Sequence, residues 1–299
     1  MYRYELTDLQ WEQIAAFFPD RYHHGGAGRP GKEHRPIVNG ILWHLHTGAP
    51  WPDLPDRYGR WQTVYDRFSR WRKDGTRANI LDALLLRLAQ GGFIDRDLWL
   101  VDAPVIRGSR AAAGAKKNLV PPPTLAGPEA LGLHEPPDHA LGRSQGGFGT
   151  KVHLVCEGHG TVLAVWVTPG QRHESQAFAA LMLRAKRPRQ AGRPRWPQRV
   201  AGDKGYSYPG IRQWLRCHHI AAVIPSRKDQ PRQEAFDRTA YRRRNLIERV
   251  VGWYKESRAL GTRYEKLAVN YVAFWILAIV EKLLRKYAQR LKTGLSERA

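Results

Sequence analysis

The rhythm of hydrophobic residues changes near residue 97, and this change most constrains the fold. Before it, apolar residues recur at helical spacing; after it, they come in short runs bounded by Gly- and Pro-rich turns. "LWLVDAPVI" (98–106) reads as a strand. "TKVHLVCEG" (150–158) and "TVLAVWVTPG" (161–170) read as a hairpin turning at His159-Gly160. "ESQAFAALMLRA" (174–185) is helical, "QRVAGDKGYSY" (198–208) is a strand ending in a turn, "YPGIRQWLRCHH" (208–219) is a helix and "IAAVIPS" (220–226) a strand. Helices over 241–255 and 268–290 follow. The order β, loop, β, β, α, β, α, β, α predicts a mixed α/β domain with a largely buried sheet. The Pro/Gly-rich stretch 111–147 is expected to be a long, partly mobile loop, and 187–197 a basic loop.

The first ninety residues read as all-α. "LTDLQWEQIAAFF" carries Thr7 or Asp8 as a cap and an apolar stripe through Leu9, Ile14 and Phe17 or Phe18. A basic Gly/Pro loop (23–36) leads to a helix over 35–47, with Ile37, Ile41, Leu42 and Leu45 inward. After the turn region "TGAPWPDLPDRYG", the helix 60–73 places Trp61, Val64, Phe68 and Trp71 on one face, while Arg60, Arg67, Arg70 and Lys73 fall largely elsewhere. Another helix, 78–89, closes the region. Helix, turn and a basic helix with aromatic anchors resembles a helix-turn-helix. A small helical domain with a solvated basic face has the same pattern. The division expected is 1–92, 93–266 and a C-terminal helix in 267–299.

Composition narrows the partners. A formal net charge of +22 on 299 residues favours polyanions, nucleic acid before an anionic membrane. Eleven Trp and 42% hydrophobic residues exclude a disordered chain. Two cysteines, Cys156 and Cys217, allow neither a disulfide framework nor a Cys-rich zinc site, which fits a reducing cytosol. The N-terminus shows no apolar signal-peptide region. The run "YVAFWILAIV" (271–280) is shorter than the ~20 apolar residues of a membrane span, so a buried helix is expected and no membrane partner.

Three acids stand out. Asp102 lies inside an apolar strand, where a carboxylate is costly unless it is paired or binds metal. Asp203, in "VAGDKGYS", sits where a strand gives way to a Gly turn; strand ends of this kind hold ligands, and Asp is also ordinary turn chemistry. Glu248 is the lone acid in "YRRRNLIERVVGWYK" (241–255). On one continuous helix Tyr241, Arg244, Glu248 and Lys255 would share a strip beside an apolar arc of Leu246, Ile247, Val250, Val251, Trp253 and Tyr254. The plain reading of that strip is an Arg244–Glu248 pair, stabilising by about 0.2–0.5 kcal/mol. The sharper reading is that carboxylates from three elements hold two divalent cations, Mg2+ or Mn2+, for phosphoryl transfer, while the cationic residues hold DNA. "GRSQGGFG" lacks a P-loop ending and reads as a loop entering a strand. "CHH" (217–219) and the pair His173-Glu174 lack the remaining ligands of a zinc site.

Tyr241, Arg244, Glu248 and Lys255 match Y-x2-R-x3-E-x6-K without a gap. This resembles the YREK signature of bacterial insertion-sequence transposases with a DDE triad. "VDAPVIRG" and "GDKGYS" are similar to that family's two aspartate motifs, 142–174 to the region between them, and 28–71 to its N-terminal domain. The likeness is greatest to the insertion-sequence-five family. It implies a ribonuclease-H-like catalytic domain preceded by an all-α helix-turn-helix-like domain. It implies a metal-binding triad of Asp102, Asp203 and Glu248, with two Mg2+ or Mn2+ ions. Tyr241, Arg244 and Lys255 would contact DNA or steady the site; Lys204 and the cations of 60–73 are further candidate DNA contacts. The partners implied are double-stranded DNA (terminal inverted repeats and target) and a second copy of the chain, in a bacterial cytoplasm at the nucleoid. Ala103-Pro104 departs from the small hydroxyl residues more usual after the first Asp. The stretch between Asp203 and Glu248 is too short for a large inserted domain. Two rivals share these residues: a metal-dependent nuclease without strand transfer, and a transposase-derived DNA-binding regulator.

Overall fold

The computed structural model describes residues 2–19, 32–115, 135–186, 196–231 and 235–296. The expected basic loop 23–36 falls largely outside these residues, as do 116–134 of the expected loop 111–147 and most of 187–197.

Among the described residues seven strands form one mixed sheet. β1 (Leu98–Asp102), β6 (Arg199–Ala201) and β7 (Ala221–Val223) run parallel. On the other side of β1 lies β4 (Gly147–Glu157), antiparallel to it and to β5 (Val162–Pro169). Short strands β2 (Val105–Arg107) and β3 (Gly142–Ser144) also pair with β4. The order β5-β4-β1-β6-β7 is the ribonuclease-H-like arrangement. β1 is buried over Leu98–Val101, as expected of a strand covered on both faces.

The expected strand 98–106 is broken at Ala103-Pro104. Pro104 has no N–H for the ladder, but its carbonyl still accepts the Val152 N–H at 2.9 Å, so β2 resumes along the same partner. "GRSQGGFG" is not merely a loop entering a strand: it is the β3–β4 hairpin, with Gly147 at φ 101° making the turn. The turn after β4 falls at 158–161, around the expected His159-Gly160, with Gly160 at φ 83°.

Helices cover both faces. α6 (Ser175–Ala185) and α7 (Pro209–Cys217) lie on the side of Lys151, His153 and Val101. α9 (Asn245–Lys255) and α11 (Ala268–Ser296) lie opposite, on the side of Leu100, Asp102 and Leu154. Two short helices, α5 (Arg110–Ala113) and α10 (Arg258–Gly261), follow β2 and α9. The expected helix 241–255 is interrupted. α8 (Arg238–Arg242) joins α9 through i→i−3 bonds, Arg244 N to Tyr241 O (3.0 Å) and Ile247 N to Arg244 O (3.1 Å). This tightened turn contains Arg243, whose guanidinium is drawn to Asp95 (3.1 Å) and Asp97 (3.5 Å) at the entry to β1. Tyr241 lies ahead of the turn, half-buried beside Phe236, with ring centroids 5.3 Å apart.

The N-terminal region is helical. Thr7 and Gln10 form a capping box on α1 (Asp8–Glu12), which is much shorter than its apolar stripe suggests. α2 (His34–Thr47) ends at Gly48, left-handed at φ 62°. α3 (Trp61–Lys73) buries Val64, Phe68 and Trp71, and the turn Asp74-Gly75 leads to α4 (Thr76–Gln90). The expected turn region between α2 and α3 is not a short turn: residues 48–60 carry two 3-10 turns, Trp51–Asp53 and Asp56–Tyr58, and the short link lies between α3 and α4. The run 271–280 lies in α11, with Tyr271, Phe274 and Trp275 fully buried; Phe274 stacks on Phe68 at 4.6 Å. No helix among the described residues is long and apolar enough to cross a membrane. One apolar cluster runs from α2–α4 through α11 to the sheet.

Candidate active site

The register of two strands brings two of the acids together. β1 and β6 pair in parallel with Leu100 opposite Ala201. Two residues further along each chain come Asp102 and Asp203, at adjacent strand ends, where neighbouring strands are about 4.8 Å apart. Asp203 caps the 3-10 turn Lys204–Tyr206, its Oδ1 accepting the Gly205 N–H at 2.8 Å. A Cβ at position 205 would stand 2.9 Å from that same Oδ1, so any side chain there would push the carboxylate aside.

Glu248 arrives from the first turn of α9. α9 docks on the sheet through Ile247, Val250, Val251 and Tyr254, all buried, and this leaves Glu248 at the sheet's carboxyl edge. Burial pushes the Asp102 carboxyl up. The Ala103 N–H and the charge of Arg244 draw it down, and the charges of Asp203 and Glu248 raise it further. Asp102 therefore lies in the fields of both Asp203 and Glu248, although the oxygens of the three acids do not all come within 4.8 Å of one another.

Arg244 forks onto Glu248 Oε1 with contacts of 2.6 and 2.7 Å. The plain reading of the strip is met, since the Arg244–Glu248 pair exists, and the charges of both residues act on Asp102. No cation pairs directly with Asp102 or Asp203 among the described residues. Lys204 is exposed beside Asp203, and Lys255 is exposed at the end of α9. On α3, Arg70 and Lys73 are exposed and Arg67 is half-buried, while Arg60 is exposed just before the helix.

The residues fit a divalent cation. The donors are carboxylate oxygens, which suit Mg2+ or Mn2+. A nearby cation would relieve both causes that raise the Asp102 carboxyl. Nearby, the Tyr206 hydroxyl is buried with no hydrogen-bond partner among the described residues, and it feels the charges of Asp102, Glu174, Asp203 and Arg244. Another triple, Asp95, Glu157 and His159, has ligand atoms all within 4.8 Å. Glu157 already accepts the N–H groups of Asp95, His159 and Thr161, so this group closes the β4–β5 turn onto the entry of β1.

One neighbouring group is missed by sequence reasoning. Lys151 of β4 meets Glu174 at 2.6 Å. His173 lies 3.2 Å from Arg227, and Arg227 also donates to the carbonyls of Lys204 and Gly205. In the sequence, His173 and Glu174 read only as an incomplete zinc site. The available signal is a lysine inside the buried strand "TKVHLV".

A DDE-type catalytic domain carried on a ribonuclease-H-like sheet is the class that these features define. Residues 99–280 match the family described as "Transposase DDE domain", and residues 6–81 match "Putative transposase of IS4/5 family". The chain belongs to the transposase DDE domain family. It is 33% identical over 114 residues to "Uncharacterized protein y4sN" of Sinorhizobium fredii (strain NBRC 101917 / NGR234), covering 38% of this chain and 83% of that protein. Among solved structures, it is similar to the Mos1 transposase paired-end complex with left transposon end (16% identity, 83% of each chain, TM-score 0.26). It is also similar to the catalytic domain of Mos1 mariner transposase (15% identity, 73% of this chain and 93% of that one, TM-score 0.26). Likeness at such scores is loose, and membership rests on the family matches.

Proposed function

We propose that this chain is a DNA transposase of an insertion sequence, of the YREK type and nearest the insertion-sequence-five family. It binds the terminal inverted repeats of its element, hydrolyses a phosphodiester at each end and joins the freed 3′-OH to target DNA. One observation carries the reading: Asp102 and Asp203 stand at matching positions at the ends of neighbouring parallel strands, with Glu248 of α9 near enough to act on Asp102.

Asp102, Asp203 and Glu248 would hold two Mg2+ or Mn2+ ions. When bound, such ions stabilise charge on the attacking and leaving oxygens of an in-line displacement. The chain's own groups do the rest. Asp102, half-buried at its strand end, would hold its ion in a fixed place. The Arg244 guanidinium, held beside the acids by Glu248, offers its remaining N–H groups to a phosphate oxygen. Lys204, next to Asp203, and Lys255, about two turns beyond Glu248 on α9, would be further phosphate contacts, while Tyr241 would brace α8. A water oxygen attacks phosphorus, the bond to the 3′-oxygen breaks and that oxygen leaves as the 3′-OH. In the second step this hydroxyl attacks a target phosphorus and a target 3′-oxygen leaves.

The N-terminal helical region (1–92) would read the element ends, with Arg60, Arg67, Arg70 and Lys73 on the backbone. The +22 charge supports this partner. Two copies on paired ends, in a bacterial cytoplasm at the nucleoid, complete the proposal.

The test is Asp203→Asn. Cleavage of cognate ends with Mg2+ should fall by about 10³-fold or more, since the charge that holds the ion is lost. DNA affinity should not fall, because Asp203 itself repels phosphate. Wild-type cleavage by the variant would remove the enzyme reading and leave a DNA-binding regulator. Cleavage without joining of pre-cut ends by the wild type would leave a nuclease.

A further inference from the structure

Beside Asp102, Asp203 and Glu248 stands a fourth carboxylate, at the Asp203 turn. We infer that Glu174 is a positioning residue of this site, holding through water the cation seated on Asp203. The inference rests on the metal-binding reading given above.

Glu174 sits at the N-terminus of α6, on the sheet face opposite Glu248. Its two oxygens do different things. Oε1 takes the ammonium of Lys151 at 2.6 Å. Oε2 faces the Asp203 turn: a Cβ at Gly205 would lie 3.5 Å from it and 2.9 Å from Asp203 Oδ1. Two carboxylate oxygens thus flank one glycine. This placement suits an indirect link, in which a metal bond of about 2.1 Å and a hydrogen bond of about 2.7 Å lie in series. Outer-shell partners of this kind orient ligands and typically contribute about 10- to 100-fold to metal affinity.

Two further observations point the same way. Lys151 is only 8% exposed, and a buried ion pair is a poor way to gain stability, because desolvation offsets much of the attraction. The pair holds Oε1, while Oε2 meets His173 Nε2 only at 3.8 Å, an ion pair when that imidazole is protonated. Tyr206, packed against Phe178 and the Gly202 backbone, brings an unpaired group to the same turn. Its side chain is 1% exposed and its hydroxyl has no partner among the described residues. A buried hydroxyl left unmet is costly. A water shared by Glu174 and an ion on Asp203 would give it an acceptor.

The experiment titrates Mn2+ into the DNA-free full-length protein, by calorimetry and by the Mn2+ resonance signal, alongside thermal melts in chelator. Glu174→Gln should weaken Mn2+ binding by about 10- to 100-fold. Asp203→Asn should abolish it. The decisive variant is Glu174→Gln combined with Lys151→Met, which leaves no buried lysine unpaired and so secures folding. Binding should remain weak in this double variant. If it returns to the wild-type value, Glu174 merely neutralises Lys151 and the inference is overturned. Wild-type affinity in Glu174→Gln alone overturns it as well. Wild-type affinity in Asp203→Asn would instead sink the underlying metal reading.

Discussion

The Asp102 carboxyl is raised by burial first, and by Asp203 and Glu248 after that. A group raised in the folded state adds stability below its unfolded pKa, about 3.9 for Asp, and that contribution is lost as pH rises through the folded value. At neutral pH the ionised Asp102 therefore costs stability, so the site works against the fold. Asp102→Asn should melt higher than wild type at pH 7 in chelator, and the gap should close as pH falls toward about 3.9. Mg2+ should raise the melting temperature of wild type and leave the variant where it is. A variant that melts lower at pH 7 would mean the carboxylate supports the fold, against this account. Asp102 also shows what can be read in advance. An acid in an apolar strand is conspicuous by its cost, and Asp203 and Glu248 become informative once a motif spaces them. Glu174 is not conspicuous, because a charged residue opening a helix needs no explanation. Only the folded chain puts it beside Gly205.

Among the strands and helices, the sheet is legible because buried strands are continuous apolar runs, and the order of those runs points to the α/β class. The breaks are not legible. Pro104 divides the first strand without leaving β4, a matter of which carbonyl still finds a partner. The α8–α9 link tightens where Arg243 reaches Asp95, 148 positions away. Periodicity carries no signal for such distant contacts. Arg263 is the strongest example. It is 0% exposed, and its guanidinium donates to the carbonyls of His139, Ala140, Glu265 and Lys266 and to Thr150 Oγ1. It thereby ties β4 to the segment entering β3 and to the start of α11. His139 and Ala140 both hold left-handed backbones, φ 53° and 51°, which cost energy unless neighbours fix them. Arg263→Met leaves several buried acceptors unmet at about 1–3 kcal/mol each. Chemical denaturation should show a loss of at least about 3 kcal/mol. Arg263→Lys should recover only part of it, because an ammonium cannot reproduce the fork. Full recovery by lysine would mean charge, not geometry, is what the clamp needs.

α11 and the net charge set the terms for the molecule. α11 offers Phe274 to α3 and α2 and further apolar side chains to α4 and β5. The helical region that would read DNA and the sheet that would cut it thus share one core, so a shift in one is carried to the other through packed side chains. A molecule built this way has no need of a mobile joint to present DNA to its acids; it needs a continuous path of positive charge. The chain has 49 Lys and Arg against 27 Asp and Glu, which supplies the excess but does not say which cations touch phosphate. Salt dependence distinguishes them. Each phosphate contact contributes about −0.9 to the slope of log K against log salt on duplex DNA. Changing Arg60, Arg70 and Lys73 together to Gln should make the slope for a duplex carrying the element end shallower by about 2.7, if each meets one phosphate. Thermal melts should be nearly unchanged, because all three are exposed. The same change should weaken binding to unrelated duplex by a similar factor, since phosphates carry no sequence. An unaltered slope would move the DNA off α3, and a loss confined to the cognate end would make these side chains readers of bases.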